Sequence, residues 1–116
     1  MAKKNLDADE VAKKHYNLLM DDKYEEWLKT LNERARRQAD TTMRGFKAEF
    51  YWNSGRKWVT EYGIRYEFER EGRSFMANTR TFFFNRVGKD GKNVGHPVKI
   101  VMKPEDGEWK VSVPSY

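Results

Sequence analysis

The chain has 116 residues, of which 35% are charged and 15% aromatic, and its formal net charge is +5 at pH 7. This length suits one domain with a sizeable core, and no apolar run approaches the roughly 20 residues of a membrane span. The absence of cysteine excludes disulfides, cysteine-ligated zinc and a thiol nucleophile. Residues 1–33 carry six Lys or Arg against eight Asp or Glu, whereas residues 34–116 carry seventeen against ten. This asymmetry is compatible with an acidic partner.

The first element predicted is a helix over about 8–21. Asp7 and Glu10 have the spacing of a capping box, and apolar residues recur behind them at helical intervals. Residues 1–6 are predicted to be disordered. No secretory apolar region is present, so we expect that any signal peptide has already been removed.

A short second helix and a longer third helix are predicted next. Tyr24 to Leu31 has amphipathic spacing, and a second capping-box pattern, Thr30–Glu33, predicts a new helix start. The apolar stripe of that third helix continues to Phe50, and Asn53-Ser54-Gly55 predicts its end. A strand over Lys47–Trp52 is the alternative, because short apolar runs are ambiguous.

From Lys57 the apolar period becomes two, which predicts a first strand as far as Phe68. Glu71-Gly72 is then predicted as a tight turn, and Arg73–Arg86 as the second strand. Asp-Gly pairs at 90–91 and 106–107 predict further turns, with two more alternating strands beginning at Val98 and near Trp109. The sequence therefore predicts a single α+β domain with three N-terminal helices packed on a curved four-stranded antiparallel sheet.

Two stretches resemble the nuclear-transport-factor-2-like, or cystatin-like, superfamily. Residues 12–28 (AKKHYNLLMDDKYEEWL) resemble its opening, and Asp106–Val111 (DGEWKV) resembles its closing strand. The chain is similar in particular to short bacterial members of uncharacterised function. The resemblance implies a cone-like roll with a pocket at its open end, in an exported or cell-envelope module. Fold does not decide function, because this superfamily hosts enzymes, carriers and interaction modules.

For an enzyme, the resemblance implies an acid inside the cone that acts as a general base. Asp40 and Glu49 adjoin the apolar stripe of the third helix, although a solvated helix face is the commoner place for an acid. His15 is interpreted as a core residue and His96 as a surface residue, and the two lack metal-ligand spacing. The sequence therefore predicts no catalytic residue, no metal and no cofactor.

Aromatic side chains are the stronger functional signal, because they form either the core or the wall of a pocket with tyrosine hydroxyls as polar handles. The predicted pocket residues are Tyr16, Phe46, Phe50, Trp58, Tyr62, Tyr66 and Thr79. If the outer sheet face pairs two copies of the chain, Phe82 and Phe84 are the predicted interface residues.

The first function hypothesis is a non-enzymatic binding module that holds a small apolar molecule or a peptide in the cone or on the sheet face. A small isomerase or dehydratase with a pocket acid is the alternative, and a structural homodimer is a further one. The basic residues of the predicted third helix are interrupted by acids and are interpreted as a solvated face, so nucleic acid is not a predicted partner. They are Arg36, Arg37, Arg44 and Lys47.

Overall fold

Among the residues that the structure describes, four helices precede four strands. A computed structural model describes residues 6–39, 48–74 and 76–116, with the side chains of all of these except 37–39 and 48–50. The helices are α1 (Ala8–Met20), α2 (Tyr24–Leu28), α3 (Glu33–Ala39) and α4 (Ala48–Tyr62), and the strands are β1 (Arg65–Gly72), β2 (Arg80–Val87), β3 (Val98–Glu105) and β4 (Glu108–Val113). The strands form one antiparallel sheet in the order β1-β2-β3-β4. The predicted α+β class is therefore confirmed.

Helix α1 lies across the sheet and contacts all four strands. Its N-terminus has the predicted capping box, in which the Asp7 backbone N–H donates to the Glu10 carboxylate at 3.1 Å. One face of the helix, including Ala12, Tyr16 and Leu19, is fully buried. The predicted first helix is thus correct to within one residue.

The cap of α3 is Asn32, and not Thr30 as the sequence pattern predicts. The Asn32 side-chain oxygen accepts the Ala35 backbone N–H at 2.7 Å, which satisfies one of the free donors in the first turn. The backbone groups of Thr30 and Asn32 exchange hydrogen bonds with Val111, and this holds the segment before α3 against the edge of the sheet. This pairing covers the exposed edge of β4 and fixes where α3 begins.

The largest error of the sequence prediction concerns residues 48–62, which form α4. The predicted strand from Lys57 is wrong up to Tyr62, and the alternative strand over Lys47–Trp52 is wrong for its described residues 48–52. The predicted helix end at Asn53-Ser54-Gly55 is also wrong. Gly55 is buried where α4 crosses α1, and an added Cβ would lie 2.8 Å from a Leu19 methyl carbon. Glycine here permits close helix packing and does not mark a stop.

Helix α4 ends just before Gly63, which adopts a φ of +65° that residues with a side chain rarely take. Strand β1 begins two residues later, so only the last four residues of the predicted first strand, 65–68, lie in a strand. The predicted tight turn at Glu71-Gly72 is also wrong, because Gly72 pairs with Thr81 inside the β1–β2 ladder. The second strand accordingly starts at Arg80 and not at Arg73.

The last two strands and their turn match the prediction closely. Asp106 and Gly107 have φ of +53° and +80°, as a two-residue hairpin between right-twisted strands requires.

Irregularities interrupt the ladders between Phe68 and Arg70 and between Val101 and Met102. Such bulges bend strands and increase their twist, so they account for the curvature of the sheet around α1.

Candidate functional site

The concave, helix-facing side of the sheet is filled by an aromatic cluster. The Tyr16 ring lies 4.3 Å from the ring centroid of Phe84 and 4.7 Å from that of Tyr66. Trp27 contacts Trp52 at 5.2 Å between centroids. Side chains, and not an open pocket, therefore occupy this part of the predicted cone.

His15 lies at the centre of that cluster and is fully buried, as the core interpretation predicts. Its Nδ1 lies 2.6 Å from the Thr30 hydroxyl and its Nε2 lies 2.7 Å from the Tyr116 hydroxyl. The Thr30 hydroxyl donates its own proton to the carbonyl of Trp27 at 2.6 Å. It must therefore accept from His15, which places a proton on Nδ1. In the neutral imidazole that burial favours, Nε2 then accepts from the Tyr116 hydroxyl.

The titration behaviour of the cluster agrees with this assignment. Burial lowers the pKa of His15 from 6.5 to about 3. Burial also raises the pKa of Tyr66 to about 12, with an opposing contribution from Arg86, and raises the pKa of Tyr16 and Tyr116 well above 10. At pH 7 the three tyrosines keep their protons, and an imidazole with a pKa of about 3 is a weak base, so none of the four groups is poised as a general base.

Arg86 is the charged residue that borders this neutral cluster, and the sequence analysis missed it. Its guanidinium carbon lies 4.4 Å from the Trp58 ring centroid, and its Nε donates to the main-chain oxygen of Tyr116 at 3.0 Å. The Tyr66 hydroxyl donates to the same oxygen at 3.3 Å. Arg86 follows inward-facing Phe84 by two residues, so strand alternation predicts that it also faces the helices. Alternation does not reveal that its hydrogen-bond partner is Tyr116, thirty residues away.

The structure separates the predicted pocket residues. Tyr16 and Tyr66 are buried in the aromatic cluster, whereas Trp58 is half-buried on α4 and Tyr62 is 53% exposed there. Thr79 lies in the β1–β2 connection, where its hydroxyl donates to the Met76 carbonyl at 2.7 Å. Phe46 and the side chain of Phe50 lie outside the described part of the chain.

Phe82 and Phe84 face the helices and are each only 1% exposed. Their predicted position on the outer sheet face is therefore wrong. Three consecutive phenylalanines give no alternation of apolar and polar residues, so the sequence does not show which of them faces the helices and which faces outward. Phe83 is the member of the triplet that lies on the outer face.

A cleft of about 90 Å³ opens between α3, α4 and the end of β4. It is lined by Arg34, Ala35, Tyr51, Ser112, Val113 and Pro114. Ser112 is 7% exposed, and its hydroxyl has no hydrogen-bond partner among the described residues. The register of β3 and β4 shifts by one residue at Ser112, because Met102 pairs with Val111 and Val101 with Val113. No sequence pattern predicts this cleft, because a register shift leaves no residue signature.

The candidate acids are not tested by this geometry. Asp40 lies outside the described residues, and so does the side chain of Glu49. No Asp or Glu is buried within the described ranges, and no group of three or more potential metal ligands occurs there. Among those same residues, no helix has the length and apolar character that a membrane crossing needs.

The chain has the nuclear-transport-factor-2-like fold. It is similar to the structure of an NTF2-like protein of unknown function from Cytophaga hutchinsonii, with a TM-score of 0.53 and 15% identity over 95% of this chain and 92% of that one. It is also similar to a SEC-C motif containing protein from Rhodopseudomonas palustris, with a TM-score of 0.54 and 11% identity over 89% of this chain and 73% of that one. No protein-family model and no curated protein matches the sequence. At these identities the likeness establishes the fold alone.

Proposed function

We propose that the protein is a non-enzymatic binding module that holds a small ligand, or one side chain of a peptide, in the cleft between α3, α4 and β4. The observation that carries this proposal is the hydroxyl of Ser112, a residue that lines the cleft, because this hydroxyl is buried and has no hydrogen-bond partner among the described residues. A buried polar group without a partner costs roughly 1–3 kcal/mol, so a ligand that supplies a hydrogen-bond partner gains affinity there.

The lining residues define the chemistry of the ligand. Arg34 provides an exposed cation, which favours a carboxylate or another acceptor group. Ala35, Val113 and Pro114 provide apolar contact for a short hydrocarbon body. The volume of about 90 Å³ is well below the roughly 300–1,000 Å³ of sites for drug-sized ligands. A short aliphatic carboxylate has the matching size and polarity.

The centre of the cone is less suitable, and this argues for the cleft over the predicted pocket. The Tyr16 ring contacts the rings of Tyr66 and Phe84 at centroid distances of 4.7 and 4.3 Å, and the polar atoms of His15 already have partners. A ligand at this place would have to displace packed aromatic rings, which typically costs several kcal/mol. The cleft requires no such displacement.

The test is an NMR titration of ¹⁵N-labelled protein with butyrate, using butylamine as the charge-reversed control. We expect shifts concentrated at the amides of Ala35, Ser112 and Val113. Arg34→Ala and Ser112→Ala should each weaken binding by about fivefold or more. Arg36→Ala is the matched control, because Arg36 lies exposed on the same helix without lining the cleft. Equal shifts with butylamine, or unchanged binding by both variants, would refute the proposal.

The other hypotheses stay predictions. An isomerase or dehydratase needs an acid in a cavity, and its candidates Asp40 and Glu49 lack a described side chain. A homodimer and a location in the bacterial cell envelope are likewise untested. Native mass spectrometry of freshly purified protein tests ligand binding and dimerisation together, since it resolves bound mass and subunit number in one spectrum.

A further inference from the structure

The outer face of the sheet carries an apolar strip that runs across the strands. Backbone pairing aligns Gly72, Thr81, Val101 and Val113 in one row from β1 to β4. Thr81 and Val101 face away from α1, because their neighbours Phe82, Ile100 and Met102 are buried beneath the helices. Val113 pairs with Val101 at the edge of the sheet and is also one of the residues that line the cleft. The Phe83 ring leans over Gly72, where an added Cβ would lie 2.4 Å from a ring carbon. Phe83, Val101 and Val113 therefore form the outer strip, and the buried Thr81 lies among them.

Cationic residues flank the outer strip on both sides. On one side the strip residue Phe83 pairs with Arg70 on β1 and with Lys99 on β3. On the other side Lys103 pairs with Lys110. Arg70 and Lys110 have acidic neighbours, with Glu69 at 4.0 Å and Glu108 at 3.4 Å. Lys99 and Lys103 form no ion pair within the described part of the chain. The strip thus lies between two margins of positive charge.

We infer that the outer strip is a docking surface for an acidic amphipathic helix of a partner protein. Four strands spaced about 4.8 Å apart give the strip a length of about 14 Å, which corresponds to between two and three helical turns. Lys99 and Lys103 are four residues apart along β3, so their margins are separated by about 13 Å. This separation matches the roughly 10–12 Å diameter of a helix with its side chains. Apolar residues of the partner would contact Val101 and Val113, and its Asp and Glu residues would meet the lysines.

The charge pattern argues against the other occupants of this face. A second copy of the chain would place the two positive margins of one sheet against those of its twin, and such like-charge contacts are unfavourable. Single-stranded nucleic acid would need accessible aromatic faces on which bases stack. The one aromatic ring of the strip, Phe83, already has the Arg70 guanidinium carbon 4.1 Å from its centroid. An acidic helix satisfies both the apolar strip and the margins.

The decisive experiment measures binding of a fluorescent peptide made of Leu and Glu, with Leu at the i, i+3, i+4 and i+7 positions of a helix. Its controls are the same composition in scrambled order and a labelled oligouridine. Wild-type protein should bind the amphipathic peptide, and the combination of Lys99→Glu and Lys103→Glu should weaken binding by about tenfold or more. Lys14→Glu with Lys57→Glu is the matched control, because both lysines are exposed on helices and the net charge changes equally.

Val101→Lys separates docking on the strip from general charge attraction. This variant adds a positive charge, so attraction alone would strengthen binding, whereas occupation of the strip predicts weaker binding. Lys99, Lys103 and Val101 do not line the cleft of the proposed function, so butyrate binding should be unchanged in these variants. Any of four results would overturn the inference: equal binding of the scrambled peptide, stronger binding by Val101→Lys, binding of oligouridine alone, or a stable homodimer that Val101→Lys dissociates. Absence of peptide binding by wild-type protein at physiological salt would also overturn it.

Discussion

The buried neutral histidine makes folding stability depend on pH in a defined direction. The pKa of His15 is about 3 in the folded protein, against 6.5 as its ordinary value. Above pH 6.5 the residue is neutral in both the folded and unfolded chains and contributes no pH dependence. As pH falls from 6.5 towards 3, the unfolded chain binds a proton that the folded chain does not bind, so the free energy of unfolding decreases.

The magnitude follows from the pKa difference. Each pH unit within this window lowers the free energy of unfolding by up to about 1.4 kcal/mol, which gives about 2 kcal/mol between pH 7.5 and pH 5. That is a large fraction of the roughly 5–15 kcal/mol stability of a typical domain. The physical cause is that the buried imidazolium would lose its hydration without gaining an acidic partner.

The assay is urea unfolding at both pH values for wild-type protein and for His15→Gln. The variant should be less stable at pH 7.5, because it disturbs the Thr30 and Tyr116 hydrogen bonds. Its loss of stability between pH 7.5 and 5 should be smaller than that of wild-type protein by about 2 kcal/mol. His96→Gln, which replaces an exposed histidine, controls for the substitution itself.

NMR of the His15 imidazole gives an independent measurement if His15→Gln does not fold. In folded wild-type protein its ring resonances should not titrate between pH 8 and about 5. A His15 titration midpoint near 6.5 in the folded state, or an equal loss of stability in wild-type protein and His15→Gln, would refute the reasoning.

Three further substitutions test separate parts of the fold by urea unfolding. Tyr116→Phe removes the donor to His15 Nε2 and should cost roughly 1–3 kcal/mol, whereas the exposed Tyr62→Phe should cost almost nothing; equal effects would contradict the hydrogen-bond assignment. Asn32→Ala should cost about 1 kcal/mol through loss of the α3 cap, and Asn32→Asp should restore most of it; no recovery would argue for a different role of Asn32. Gly63→Ala should destabilise by more than Gly91→Ala, since both have positive φ but only Gly63 has a neighbour, Lys89, within 3 Å of the added Cβ; the reverse order would be inconsistent with this packing.

Local patterns predicted the elements whose residues interact mainly with sequence neighbours. The α1 capping box, the apolar face of that helix and the Asp106-Gly107 hairpin depend on contacts a few residues apart, and all are present in the structure. The order of helices and strands likewise led to the correct fold class. In contrast, Trp58, Thr60 and Tyr62 alternate like a strand although they lie on a helix, because half-buried helices also present aromatic residues at intervals that a short window cannot distinguish.

The sequence by itself determined an α+β fold, its aromatic core and a polar surface, because hydrophobic periodicity and turn chemistry are local properties. Only the tertiary structure decided which aromatic face is buried and that residues 15, 30 and 116 share one hydrogen-bond network. It also decided that Ser112 lines a cleft and that its hydroxyl has no hydrogen-bond partner within the described part of the chain. Each of these depends on strand register or on contacts between residues as much as a hundred positions apart. Such contacts are selected by the packing of the whole chain, since a shift of one residue in register exchanges the two faces of a strand.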